Sequence, residues 1–173
     1  MPDFLTHYSI SLLIGYKPLG LKNSLLFALV GLLPDIDALF RVHRWFTHSF
    51  VFFGVAAVAL YLFVRTLRRS AGKYVALGAL LYGLHIVMDL FNASTPILYP
   101  LSKQALWIRA NLDAFMGATV GLKGGLSLEW APAEFGPKGM LEGPLISDVG
   151  LAVALGVFVF LALDWMGRKG YRW

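Results

Sequence analysis

The sequence predicts an all-α fold: a membrane-embedded bundle of about five short helices, with a partly irregular insertion on its outer face. Three observations carry that prediction. First, 58% of the 173 residues are hydrophobic and only 14% charged, with a mean hydropathy of +0.67; soluble domains run nearer half apolar and a quarter charged. Second, the apolar residues are clumped, and no charged side chain falls within 50–64, 74–84 or 149–163. Each run falls short of the ~20 residues that cross a hydrocarbon core, so one alone would suit a buried helix of a soluble protein. Several in so small a chain favour the bilayer. Third, the basic residues gather in clusters that a single topology brings to one side.

The elements follow in order. A first helix is expected over about 4–16, stopping before Lys17 and Pro18, and a second over about 23–33, ended by Pro34. A polar stretch, 35–47, leads to a third helix, which Thr47 or Ser49 can cap and which ends at Arg65, Arg68 and Arg69. The fourth covers about 73–91 and breaks at Asn92-Ala93-Ser94-Thr95-Pro96; the fifth covers about 146–166. The connection 93–147 is too long for a plain loop. It is read as an interfacial insertion in which 101–116 can form an amphipathic helix, while Leu126, Leu128 and Trp130 alternate as in a short strand. No internal repeat is visible, and residues 1–173 are taken as a single domain.

Composition also excludes. With no cysteine, disulfides and thiolate metal sites are ruled out. Asp3 stands where a signal peptide would carry its basic residues. The net charge of +5 comes with no basic patch interleaved with aromatics, so nucleic-acid binding is not expected. If the turn between helices three and four is cytoplasmic, alternation puts Lys17, Lys22, Arg168, Lys169 and Arg172 on that side as well. Nine of the fifteen basic residues then lie inside, as the positive-inside rule requires. The chain is accordingly read as an integral cell-membrane protein.

That topology places the histidines. His7 lies near the outer start of helix one, Asp35 and Asp37 at the outer end of helix two, His43 and His48 before helix three, and His85 and Asp89 toward the outer end of helix four. All four histidines and three of the ten acids meet at one end. His85 and Asp89 are four apart, so they share a helix face. Imidazole and carboxylate are ligands that zinc and related ions accept. A carboxylate at membrane depth is costly, about 2.5–3.5 kcal/mol on insertion scales, and Asp89 therefore needs a partner. A lone His85 would more often be an interhelical hydrogen-bonder, and Asp35 with Asp37 could be a solvated loop. The convergence of the whole set favours metal. Candidate ligands are His7, Asp35, Asp37, His48, His85 and Asp89, with His43 second-rank because its loop also suits an anion, and Arg44 is the candidate for contacting one.

Thr6-His7, Leu33-Pro34-Asp35-Ile36-Asp37, His43-Arg44-Trp45-Phe46-Thr47-His48-Ser49 and His85-x-x-x-Asp89 with Thr95-Pro96 stand in an order that resembles the membrane-bound metal-dependent hydrolases of the LexA-regulated type. The resemblance covers roughly residues 1–102. Trp45 stands where such proteins usually carry glycine, and Ala38 where a histidine often follows the second aspartate. The order of ligands is also similar to that of zinc-dependent phospholipase C and its nuclease relatives, which implies phosphoester cleavage by metal-activated water. Lipid phosphatases of the phosphatidic-acid type want an arginine where Ala79 stands, and the Asp-Gly and Ala-Arg pairs of phosphoalcohol transferases are missing.

The expected function is therefore a membrane-bound metal-dependent hydrolase. It would use one to three divalent ions, zinc foremost, to cleave a phosphoester of a lipid or another membrane-surface substrate. Asp37, His48 and Arg44 are the expected catalytic residues, the bilayer and the substrate the expected partners, and the metal site faces outward. The alternative is a membrane metal transporter or a structural metal-binding membrane protein.

Overall fold

The computed structural model describes residues 3–42, 44–117, 119–137 and 145–168. Asp3 caps helix α1 (Phe4–Leu19): its carboxylate accepts the Thr6 N–H at 2.6 Å. It also accepts the N–H of Ser147, just ahead of helix α5 (Asp148–Arg168). The two helices therefore start side by side, with Gly150 so close to Asp3 that a Cβ there would strike the carboxylate. At their other ends the Tyr16 hydroxyl donates to Asp164 at 2.6 Å, and Arg168 pairs with the same carboxylate at 2.8 Å. Between these two fastenings Leu12 and Val157 are buried against Ala28.

Helix α2 (Leu21–Phe27) runs straight into a 3₁₀ segment, Ala28–Phe40. Pro34 was expected to end this helix; instead the backbone tightens and continues. The burial pattern explains the tightening. Ala28, Gly31, Pro34 and Asp37 are all buried, a spacing of three that matches three residues per turn and turns one face into the bundle. Gly31 faces Ser11 of α1, and a Cβ there would collide with Ser11 Oγ. Overpacking of that kind costs about 1–3 kcal/mol.

A short 3₁₀ turn, Phe46–His48, leads to helix α3 (Phe50–Leu67), whose first amides are capped by Ser49 Oγ. No residue of α3 is buried: away from the side that meets α4, its apolar surface stays exposed among the described residues. A basic turn through Arg68 and Arg69 connects it to helix α4 (Gly72–Leu90). α4 packs against the 3₁₀ segment and α3, and Leu81 and Ile86 are fully buried there. Among the described residues, four segments are long and apolar enough to cross a membrane: Leu21–Phe40, Phe50–Leu67, Arg69–Leu90 and Asp148–Arg168.

The all-α expectation is corrected in the insertion. Where an amphipathic helix was expected over 101–116, the chain forms strand β1 (Gln104–Met116), paired antiparallel with β2 (Val120–Pro132). The fold is mostly helical with a two-stranded sheet. The reason lies in the period: Leu106, Ile108, Ala110, Leu112, Ala114 and Met116 recur every second residue, which lines one face of a strand and spirals around a helix.

Candidate metal centre

Four elements bring their ends together here. His7 comes from the second turn of α1, Asp35 and Asp37 from the end of the 3₁₀ segment, His48 from the turn before α3, and His85 and Asp89 from the last turns of α4. This is the end of α3 and α4 opposite their basic turn. His7, Asp37, His48, His85 and Asp89 are all buried, and the Asp35 side chain is 27% exposed at the rim. The 3₁₀ period accounts for the contrast between the two aspartates: Asp37 continues the inward row, and Asp35 lies off it.

Four residues form a donor set. Asp35, His48, His85 and Asp89 each offer a ligand atom, all within 4.8 Å of one another. Asp35 Oδ1 lies 3.6 Å from His48 Nε2 and 3.4 Å from His85 Nε2, and Asp89 Oδ2 lies 3.4 Å from His48 Nε2. The rings' far nitrogens decide what Nε2 can do. His85 Nδ1 lies 2.7 Å from the Gly31 carbonyl, which can only accept, so Nδ1 carries the proton and the neutral ring presents its Nε2 lone pair. His48 Nδ1 lies 3.1 Å from Asp37 Oδ2, which fixes the same tautomer. A ligating histidine held from behind by a carboxylate or a carbonyl is the usual support for a metal ligand. Among the described residues the buried His85 Nε2 has no hydrogen bond of ordinary geometry. Two carboxylates and two imidazole nitrogens thus face one small space, and the set fits a divalent cation.

Electrostatics agree. Burial alone would push the His48 ring down, but the surrounding carboxylates of Asp35, Asp37 and Asp89 favour its protonated form and raise it to about 10. The space at its Nε2 is one that demands positive charge. A metal ion bound there would compete with a proton, so its occupancy should rise with pH.

The remaining sequence candidates separate. Asp37 does not join the donor set: its Oδ2 accepts from the Trp45 N–H at 2.8 Å and the Thr47 hydroxyl at 2.7 Å and faces His48 Nδ1. Its place is behind His48. His7 stacks on His85 with ring centroids 3.8 Å apart and points Nε2 at Asp89 Oδ1, 3.5 Å away, and does not belong to the four-residue set. Arg44 Nε pairs with Asp89 Oδ2 at 2.7 Å. To get there Arg41 and Arg44 both take left-handed backbone (φ 60°), a costly conformation for a side chain with a Cβ, and the kinked loop also delivers the Trp45 N–H to Asp37. His43 lies outside the described residues.

Three contributors were not read from the sequence. Gly31 supplies the carbonyl that holds His85. Thr47, read as a helix cap and as part of the 43–49 string, anchors Asp37. Tyr82 donates to the Thr47 carbonyl at 2.6 Å, bracing that turn from α4. For Tyr82 the available signal was its position one turn before His85 on the same face of α4.

No curated protein and no solved structure matches the chain. One family model does, over residues 1–122, a stretch that holds every residue of the cluster and reaches into β2. With most of its length matched and four segments able to cross a bilayer, the chain is a membrane protein belonging to the YdjM inner membrane protein family.

Proposed function

We propose that the cluster binds a divalent metal, zinc foremost, and hydrolyses a phosphoester of a lipid or another substrate at the membrane surface. The family's description names no activity, and the reading rests on one observation: two buried histidines, each with Nδ1 engaged from behind, aim Nε2 at the carboxylates of Asp35 and Asp89. Asp35, His48, His85 and Asp89 would hold the ion. When bound, such an ion supplies Lewis acidity and lowers the pKa of a water molecule toward neutrality. Asp37 orients His48. Arg44 holds Asp89 in place through Nε, while its Nη2 is buried without a hydrogen-bond partner among the described residues. A guanidinium N–H so placed suits an anionic oxygen, which favours a phosphoester over a neutral ester.

Two further features support a lipid. The donor set lies at the ends of the spanning segments, the level of head groups, whereas transporters gather their ligands on broken helices near the midplane. A cleft of about 570 Å³ between the 3₁₀ segment, α3 and α4 starts at Phe46 and Thr47, beside the cluster, and continues past Phe53 and Gly78 to Leu60 and Tyr74. Its walls are almost wholly apolar, and an alkyl chain could lie in it with its head group at the metal.

The test is turnover. Purified protein in detergent or vesicles should release phosphate or a phosphorylated head group from a phospholipid or phosphodiester panel. Chelation should abolish the activity and zinc restore it, and Asp37→Asn should lower turnover while leaving the thermal unfolding midpoint within a few degrees. Metal accumulation by vesicles with no turnover on any substrate would replace hydrolysis by transport.

We also propose that the site faces outward, because the basic turn at the opposite end of α3 and α4 belongs inside. A cysteine at Ser70 should then resist a membrane-impermeant maleimide in intact cells and one at Ser127 should react; the reverse pattern would turn the protein over.

A further inference from the structure

The hairpin β1–β2 has two unlike faces. Its strands pair in register from Gln104–Pro132 to Met116–Val120, and side chains alternate between faces. From Leu106 to Met116 every β1 residue on one face lacks a polar side chain, and so does each partner from Trp130 to Val120. The opposite face carries all the ribbon's charges, which pair with one another, and its exposed aromatic, Phe115, lies over Gly121 near the tip. Arg109 meets Glu129 at 3.1 Å and stacks 3.8 Å over Trp107, the Asn111 amide donates to Asp113, and Asp113 stands across from Lys123. Among the described residues nothing covers the apolar face beyond its root: Leu112, Leu122 and Leu126 are each at least 70% exposed and Met116 is 85% exposed. Thirteen residues at ~3.3 Å each give a ribbon ~43 Å long. A bare apolar strip of that size marks an interaction surface, and a lone two-stranded ribbon is marginal in water.

We propose that this hairpin lies flat on the bilayer, its apolar face in the interfacial layer beside the metal cluster and its polar face toward water. The inference is independent of the hydrolase reading. The ribbon is rooted where the chain leaves the membrane. Thr95, six residues beyond Asp89, exchanges both backbone hydrogen bonds with Leu106 at 2.9 Å, and Ala105 and Leu106 are buried there. The chain enters the ribbon from spanning helix α4 and afterwards returns to spanning helix α5, so both ends are held near one membrane surface. Depth is bounded as well. Each strand of a two-stranded ribbon has an edge of unpaired backbone groups, which cannot sit in hydrocarbon, and Arg109, Asp113, Lys123 and Glu129 must stay wet. An orientation parallel to the membrane satisfies both limits at once. A second copy could also cover the face, but only by bearing the entropy of association, whereas the bilayer that holds the helices is already alongside.

The absence of native cysteine makes the test direct. Single cysteines at Leu112, Leu122 and Leu126 on the apolar face, and at Asp113, Lys123 and Ser127 on the polar face, carry a nitroxide in the full chain reconstituted in phosphatidylcholine–phosphatidylglycerol vesicles. All six side chains are exposed, so the labels leave packing intact. Power saturation should give a ratio of oxygen to water-soluble nickel-complex collisions several-fold higher at each apolar-face site than at its polar-face neighbour, alternating residue by residue. Equal ratios on the two faces would overturn the proposal. So would dipolar broadening at Leu112, Leu122 or Leu126 sites that disappears on dilution with unlabelled chain, because it would assign the face to a second copy.

Discussion

His85→Ala is expected to lower zinc affinity by more than ~100-fold, and Asp37→Asn by only ~10–100-fold, the range for residues that support a ligand from behind. The difference follows from geometry. His85 presents Nε2 to the space shared with Asp35, and its removal deletes a donor. Asp37 is turned toward His48 Nδ1, and its amide leaves that ring in place with a weakened partner. Competition against a chromophoric chelator at fixed pH measures both. Equal, large losses would put Asp37 among the ligands. Unchanged affinity in His85→Ala would reduce that ring to an interhelical contact with the Gly31 carbonyl.

Asp89→Ala is expected to do two kinds of damage. It removes a ligand, and it strands Arg44, whose side chain is only 10% exposed and whose Nε lies 2.7 Å from the Asp89 carboxylate. Removing one partner of a buried ion pair costs about 3–5 kcal/mol, because the survivor stays buried and charged. The loss should appear in chelated protein, where no metal contributes, as a lowered midpoint in denaturant unfolding from detergent micelles. Adding Arg44→Met should recover more than half of it without recovering metal binding. An Asp89→Ala protein as stable as the parent under chelation would show that the pair contributes nothing to the fold and that Asp89 matters only as a donor.

Much of the helical frame and the meeting of the chemistry-bearing residues can be read from the sequence, because both follow from local pattern. Runs free of charge mark α3, α4 and α5, and alternation of helices between the two sides carries His7, His48, His85 and Asp89 to one end. Pro34 misleads for a physical reason. A proline ends an α-helix by removing a donor and crowding the preceding turn, but the burial row Ala28, Gly31, Pro34, Asp37 keeps a period of three that a 3₁₀ segment can satisfy. The hairpin is harder still. The apolar residues within 101–116 are dense enough to fit either period, and the pairing that decides between them lies as many as 28 residues away, Gln104 against Pro132. The division of labour between the two aspartates is invisible in Asp35-Ile-Asp37. Only the turn that brings the Trp45 N–H and the Thr47 hydroxyl onto Asp37 assigns it to His48, and the 43–49 string that contains both donors does not say which aspartate they hold.

The central claim is that Asp35, His48, His85 and Asp89 hold a divalent ion. X-ray absorption at the zinc edge, on full-length protein loaded with zinc and freed of excess by gel filtration, tests it most directly. The account predicts at least one zinc retained per chain, a nitrogen and oxygen first shell, and outer-shell scattering from two imidazole rings that falls by about half in any zinc His85→Ala still retains. Protein that loses its zinc on filtration, or zinc without imidazole scattering, would contradict it.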